Sequence, residues 1–308
     1  MKEPKTLIEA VTYFADPEVA EQYAAAIRWP NGVACPRMGC GLGEVAYLKN
    51  AHRWYCNDCK RKFTAKVNSV FEDSPISFSR WLPAIWMLAN DRNGISSCEL
   101  ARALGVTQKT AWFMLHRIRR AIEKGPIEIL SGEVESDETY LGPKQRGGLR
   151  PGGHHGRKSR GPAYGKQFVQ GIVERKGEVR AFVVPNVERG TLVENIRKHV
   201  QPVSTVYTDA LKSSDKLNDD FTHHAVNHSI EYVRGHVHTN NIEAFWSIFK
   251  RTLKGTYISP RPAHLQRYIE EQVYRFNERE SEDGPRFTKV LEGADRKRLT
   301  YKALTGKS

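Results

Sequence analysis

The stretch EVESDETYLG, Glu133 to Gly142, marks where the chain changes texture from helix to strand, and the run of elements it opens decides the fold. It reads as a strand. QFVQGIVERKGEVRAFVVP, residues 167 to 185, reads as a hairpin turned at Lys176-Gly177. A helix is predicted from about Thr191 to His199, then the strand STVYTDA, which ends around Asp209, and then a short strand in HHAVNHS. The order is therefore three antiparallel strands, a helix, and a further strand.

Beyond these strands lies HVHTNNIEAFWSIFKR, His236 to Arg251. At helical spacing Ile242, Trp246, Phe249 and Leu253 form one face, while Glu243, Ser247, Lys250 and Lys254 form a separate stripe. Taken alone, that stripe is explained by a surface salt-bridge face. A last helix, PAHLQRYIEEQVYRFNERE, carries Leu265, Tyr268, Ile269, Gln272 and Phe276 as a packing face. The strand order matches a ribonuclease-H-like fold with a mixed sheet. There the first and fourth strands lie side by side, which brings Asp137 and Asp209 together, and a helix carries Glu243 across to them. An isolated acid is ordinarily just solvated. Three acids at the matching places of one fold, in a chain this basic, form a different pattern.

Forty-eight Lys and Arg against 35 Asp and Glu leave a net charge of +13. That excess favours a polyanionic partner, nucleic acid before an anionic membrane surface. No apolar run approaches the length of a membrane span, and the first residues lack the apolar core of a signal peptide, so a cytoplasmic location is expected. Between Gly142 and Lys166 the chain has seven Lys or Arg, eight Gly and no acid. Such a stretch cannot build a core and reads as a basic loop. It is either a solvated linker or a clamp for a phosphate backbone through Lys144, Arg146, Arg157, Lys158 and Arg160.

Four of the five cysteines fall within a short N-terminal stretch, Cys35 and Cys40 in CPRMGC, Cys56 and Cys59 in CNDC. In a cytoplasmic chain this pattern indicates metal binding rather than disulfides. The segments EVAYLK and HRWYC alternate as strands do, and two cysteine knuckles joined by a hairpin make a zinc ribbon holding one structural zinc. His52 is expected to be an exposed hairpin residue, and Cys98, alone on a helical stretch, to serve packing. Ahead of the ribbon, Asp16 and Pro17 signal a helix start. Behind it, SSCELARALGVTQKTAWFMLHRIRRAIEK has a helix-turn-helix layout. One helix spans about Ser97 to Leu104, Gly105 makes the turn, and Thr107 caps the second helix. Ala111, Leu115 and Ile118 would pack inward, leaving Gln108, Lys109, His116 and Arg117 for DNA. A plain helical hairpin without DNA contacts has the same pattern.

The sequence thus reads as an α+β multidomain chain. Residues 1–30 are N-terminal helices, 31–70 a zinc ribbon, 71–128 a helix-turn-helix-like segment, 129–282 a ribonuclease-H-like domain with its basic loop 142–166, and 283–308 a basic tail. SDETYLG, VYTDA, VNHSIEYVRGHVHTNNIEAFWSIFKRTLKGTY and HLQRYIEEQVYRFNER, with CPRMGC…CNDC in front, resemble the DDE transposases of bacterial insertion sequences, in the ISXO-like group. The 34 positions from Asp209 to Glu243, and the basic Lys250 seven positions later, resemble that family's spacing. Four residues rather than the family's usual two separate Cys35 from Cys40. The resemblance implies that Asp137, Asp209 and Glu243 bind two magnesium or manganese ions, that Lys250 and Lys254 face DNA phosphates, and that the reaction is cleavage at element ends followed by 3′-hydroxyl strand transfer into target DNA. It also implies double-stranded DNA as partner and a homo-oligomer that joins two ends. His228, His236, His238, Asn240 and Asn241 either support the site or touch DNA, and Asn240 or Asn241 equally suits a helix cap. Two other readings use the same residues: a DNA-binding regulator with an inactive third domain, and a metal-dependent nuclease without strand transfer.

Overall fold

The computed structural model describes residues 4–37, 39–40, 43–123, 129–142, 166–209, 217, 220–226, 238–258 and 260–306; the side chains of Asp209, Ala225 and Val226 are outside that description. The chain divides into two compact units, Met1–Lys124 with Glu278–Ser308, and Gly125–Asn277.

In the first unit, α1 spans Leu7–Tyr13 and α2 spans Pro17–Arg28. The Asp16 carboxylate accepts from the Glu18 and Val19 amides, and Pro17 needs no partner for a missing N–H, so α2 starts where the local chemistry directs. Strands β1 (Val45–Leu48), β2 (Arg53–Cys56) and β3 (Arg61–Phe63) form an antiparallel sheet in that order. Helix α3 (Phe78–Asn90) buries Trp81, Leu82, Ile85 and Leu88. Helix α4 (Ser97–Leu104) opens with a capping box between Ser96 and Glu99 and closes on Gly105 at φ 64°, a left-handed conformation that a side chain would strain. Helix α5 (Gln108–Ile122) is capped by the Thr107 hydroxyl, and Ala111, Leu115 and Ile118 face inward as the sequence predicts.

The second unit holds a five-stranded mixed sheet built from β4 (Glu133–Leu141), β5 (Gln167–Glu174), β6 (Val179–Val184), β7 (Thr205–Asp209) and β8 (Thr222–Val226). Its spatial order is β6-β5-β4-β7-β8, antiparallel through β6, β5 and β4 and parallel from β4 through β7 to β8. That is the ribonuclease-H-like arrangement. Helix α6 (Arg189–His199) makes the crossover and packs Val193 and Ile196 against Val134, Ile172 and Val206 on one sheet face. The other face receives α7 (Asn240–Thr252) and α8 (Leu265–Asn277), whose Ile242, Phe245, Trp246, Phe249 and Ile269 close over Leu141, Val169 and Val173.

Gly171 sets how closely α7 can approach. A Cβ at this position would lie 2.5 Å from a ring carbon of Trp246 and 2.6 Å from Cδ1 of Ile242, both buried. Gly171→Ala is therefore expected to destabilise the unit by about 1–3 kcal/mol, the usual cost of overpacking, and urea unfolding of the two proteins measures it. An unchanged midpoint would show that the helix can back away freely.

Residues 283–308, predicted as a basic tail, instead belong to the first unit and carry α9 (Asp283–Glu292) and α10 (Tyr301–Thr305). Phe287 is fully buried among Phe14, Tyr23 and Trp86, with ring centroids 5.4 to 6.1 Å away. The Ala294 carbonyl accepts from the Val70 amide at 3.0 Å, and the Arg296 amide donates to the Asn68 carbonyl at 2.8 Å. The basic run Arg296 to Arg298 lies between α9 and α10, where Lys297 donates to the Ala121 carbonyl at 3.1 Å and Arg298 pairs with Glu72 and Asp73. Among the described residues, no helix is long and apolar enough to cross a membrane.

Candidate active site and zinc cluster

The predicted acids stand on two neighbouring strands and on α7. Strands β4 and β7 pair in parallel from Glu133 opposite Thr205 to Ser136 opposite Thr208. Asp137 and Asp209 are the next residues on neighbouring strands, whose backbones in a sheet lie about 4.8 Å apart. Asp137 is half-buried, and on its other side it pairs with Gly171. Glu243 stands exposed in the first turn of α7, with Lys250 and Lys254 exposed further along the chain. The helix is fully amphipathic in the predicted sense, with Ile242, Trp246, Phe249 and Leu253 buried, and Phe245 buried beside them.

The start of α7 is held by a residue that the sequence pattern does not single out. Glu135 is fully buried on β4, and its Oε2 accepts from the Asn241 amide at 2.9 Å and the Ile242 amide at 3.2 Å. Its Oε1 accepts from Asn241 Nδ2 at 2.9 Å and from Arg175 Nε at 2.9 Å, and lies 3.3 Å from His238 Nδ1. Neither Asn240 nor Asn241 is the N-cap. That position is Thr239, whose hydroxyl donates to Glu243 Oε1 at 3.1 Å instead of capping the helix. His238 and Asn241 thus meet Glu135 directly, while Asn240 is exposed. Strand alternation puts Glu135 and Asp137 on one face of β4, which marks the side of Glu135 but not its role.

Around this network the Arg175 guanidinium lies 4.0 Å over the Tyr207 ring, and the Tyr207 hydroxyl donates to Glu133 at 2.6 Å. Burial and the Glu133 carboxylate together push the Tyr207 phenol above its ordinary pKa, so it stays protonated as a donor. Thr208, just before Asp209, shares a 2.9 Å hydrogen bond with His223 Nε2; burial and the neighbouring His224 push the His223 pKa down, favouring the neutral ring. His228, His236 and the side chain of Asp209 lie outside the described residues, as do Lys144, Arg146, Arg157, Lys158 and Arg160 of the basic loop.

In the first unit the sulfurs of Cys35, Cys40, Cys56 and Cys59 all lie within 4.8 Å of one another. The Cys35–Cys59 and Cys40–Cys56 separations are 3.9 and 4.0 Å. A tetrahedron with Zn–S bonds of about 2.3 Å has edges of about 3.8 Å, so the cluster fits zinc. The longer first knuckle does not prevent this. Donation of the Cys40 S–H to the Cys35 and Cys59 sulfurs pushes the Cys40 thiol up to about 12. His52 is exposed and takes no part.

Comparison with known proteins identifies the same two modules. The model of the ISXO2-like transposase domain matches residues 129–277, and that of the transposase zinc-ribbon domain matches residues 15–62. A Halobacterium salinarum protein described as an uncharacterized protein in transposable element ISH50 is 31% identical over 252 residues, 78% of this chain and 84% of the relative. The chain belongs to the ISXO2-like transposase family. An uncharacterized transposase-like protein of Haemophilus influenzae is 40% identical over 106 residues, 34% of this chain and 85% of that one. Among solved structures, a pre-cleavage Mos1 transpososome aligns over 70% of this chain and 78% of its own at 10% identity, with a TM-score of 0.27, too low to carry weight.

In this family member the helix-turn-helix face differs from the prediction. Gln108 and Lys109 are exposed at the start of α5, Gln108 donating to the Ser97 hydroxyl at 2.8 Å and Lys109 lying 4.9 Å over the Tyr301 ring. Arg117, predicted to be available to DNA, is buried: its Nε donates to the Leu299 carbonyl at 3.1 Å and its guanidinium lies 4.4 Å over Phe113. His116 is likewise buried, 4.4 Å from the Trp112 ring. The returning C-terminal segment covers this part of the helix, which widens its inward face. Cys98 is exposed on α4 rather than packed.

Proposed function

We propose that the chain is a DNA transposase that binds the ends of its element, cuts them, and joins them to target DNA. The observation that carries this reading is the parallel β4–β7 register, which runs to Ser136 opposite Thr208, one residue before Asp137 and Asp209, on a sheet against which the helix bearing Glu243 packs. Asp137, Asp209 and Glu243 would hold divalent magnesium or manganese; a carboxylate-only donor set suits a hard cation, and the half-buried Asp137 and exposed Glu243 leave room for water and substrate. When bound, the ions supply charge stabilisation for in-line displacement at phosphorus.

The chain's own residues would do the positioning. The Thr239 hydroxyl orients Glu243, and Lys250 and Lys254 offer cations to backbone phosphates on the exposed side of the helix and its continuation. In the first step a water oxygen bonds to phosphorus and the P–O3′ bond breaks, leaving a free 3′-hydroxyl. In the second, that hydroxyl oxygen bonds to a target phosphorus and a target P–O bond breaks. One site serves both steps because only the nucleophile changes. Gln108, Lys109 and the zinc ribbon would recognise the element ends, and two copies of the chain would bring two ends together.

Labelled element ends incubated with the purified chain, plasmid and magnesium test the reading, with joined product expected. Cutting without joining would favour a nuclease, and end binding without cutting a regulator. Separately, Lys250→Ala should weaken binding evenly across sequences and reduce the slope of log affinity against log salt by about one, as loss of one phosphate contact does. Affinity measured over a salt series checks this.

A further inference from the structure

The capping of α7 is unusual in where it comes from. A helix ordinarily satisfies its first amides with its own N-cap side chain. Here Thr239 turns its hydroxyl to Glu243 instead, and the amides of Asn241 and Ile242 are taken by Glu135 from β4. A local cap fixes a helix to itself. A cap supplied by a strand fixes the helix to that strand. Glu135 is two residues from Asp137 on β4, a rise of about 7 Å along a strand, and Ile242 immediately precedes Glu243.

A fully buried carboxylate is costly unless every lone pair is used, and Glu135 has the partners to use them. Arg175 meets it at Oε1 and also donates from Nη2 to the His238 carbonyl at 2.9 Å, tying the residue before Thr239 to the same point. Arg175 is itself held on Tyr207, opposite Glu135 in the parallel register. All these contacts converge on the entry to α7. A buried ion pair serving stability alone would have no need to reach the helix backbone.

We propose that Glu135, locked by Arg175, is a positioning residue that pins the start of α7 to β4 and thereby sets where Glu243 stands relative to Asp137. This rests on the reading of Asp137, Asp209 and Glu243 as the metal-binding acids. Glu135 is not itself a ligand, since its oxygens are already engaged by amides, Asn241 and Arg175.

The test uses the full, zinc-loaded chain and manganese alone, with free Mn²⁺ followed by electron paramagnetic resonance. Glu135→Gln keeps the shape but offers an amide N–H where an acceptor is needed. It should raise the Mn²⁺ concentration for half-saturation by about 10- to 100-fold, as loss of a partner behind a ligand does. In the zinc-loaded protein before manganese is added, hydrogen exchange at the Asn241 and Ile242 amides should speed up. Arg175→Lys keeps the charge on Glu135 but loses the planar fork that reaches His238, and should shift both readouts in the same direction should Glu135→Gln fail to fold. A lower melting temperature with unchanged Mn²⁺ binding, or unchanged exchange at the two amides, would overturn the proposal. Glu243→Gln run alongside separates the two ideas. If Glu243→Gln binds Mn²⁺ like wild type, or wild type binds none, the ligand assignment fails. If Glu243→Gln loses binding and Glu135→Gln does not, only the positioning role fails.

Discussion

Asp209→Asn is expected to abolish end cleavage and end joining together, by on the order of a thousandfold or more, while end binding stays within a few fold of wild type. The magnitude reflects the charge lost. Asparagine keeps the size of aspartate and the pairing of β7 with β4 and β8, but presents a neutral amide to a hard dication, forfeiting several kcal/mol of charge stabilisation at about 1.4 kcal/mol per decade of rate. Both steps should fall because they use the same acids. Binding should survive because the zinc ribbon, Gln108 and Lys109 belong to the first unit, which the substitution does not touch. A gel shift with labelled ends, run beside the joining assay, reads both quantities from one preparation. Joined product persisting in the variant would remove Asp209 from the catalytic set. Loss of binding in parallel with activity would point instead to a folding defect.

The elements that carry Asp137, Asp209 and Glu243 were legible in the sequence because local signals define each of them. The turn at Lys176-Gly177, with Lys176 at φ 64°, closes the β5–β6 hairpin. Gly105 and Thr107 delimit α4 and α5 as predicted. With strands and connections fixed, few topologies remain, and β4 beside β7 is among them. The features that escaped depend on partners far away along the chain. Arg117 is buried because Leu299, 182 residues later, accepts its hydrogen bond. The 283–308 segment is a core element because Phe287 finds Phe14, Tyr23 and Trp86, and its charge pattern alone says nothing of that. Glu135 is hidden for a related reason. Next to Asp137 it looks like one more acid, and only the amides of Asn241 and Ile242, over a hundred residues on, reveal its role. Periodicity assigns a residue to a face; it does not say which distant backbone will cover that face.

Cys56→Ser is the second substitution expected to have a large effect, this time on folding. Strands β1, β2 and β3 supply only four, four and three residues, too little apolar surface to outweigh the entropy of ordering them. A structural zinc contributes about 10–16 kcal/mol of binding free energy at neutral pH, which in so small a module is folding free energy. Cys56 is the fully buried ligand of the four, and serine, which does not ionise at neutral pH, cannot replace a thiolate. Zinc content should fall from one ion per chain to near none. Trp54 packs against Trp29, Tyr47 and Phe63 with ring centroids 5.3 to 6.2 Å away, so loss of the ribbon should expose it and red-shift the tryptophan emission. Helices α3, α5 and α9 bury one another's apolar faces without the metal, so most of the helical circular dichroism should remain. A strong chelator added to the wild-type chain should reproduce the same spectral change, and restoring zinc should reverse it. One zinc per chain in the serine variant, with an unshifted emission maximum, would mean that the four sulfurs lie together for some reason other than a metal.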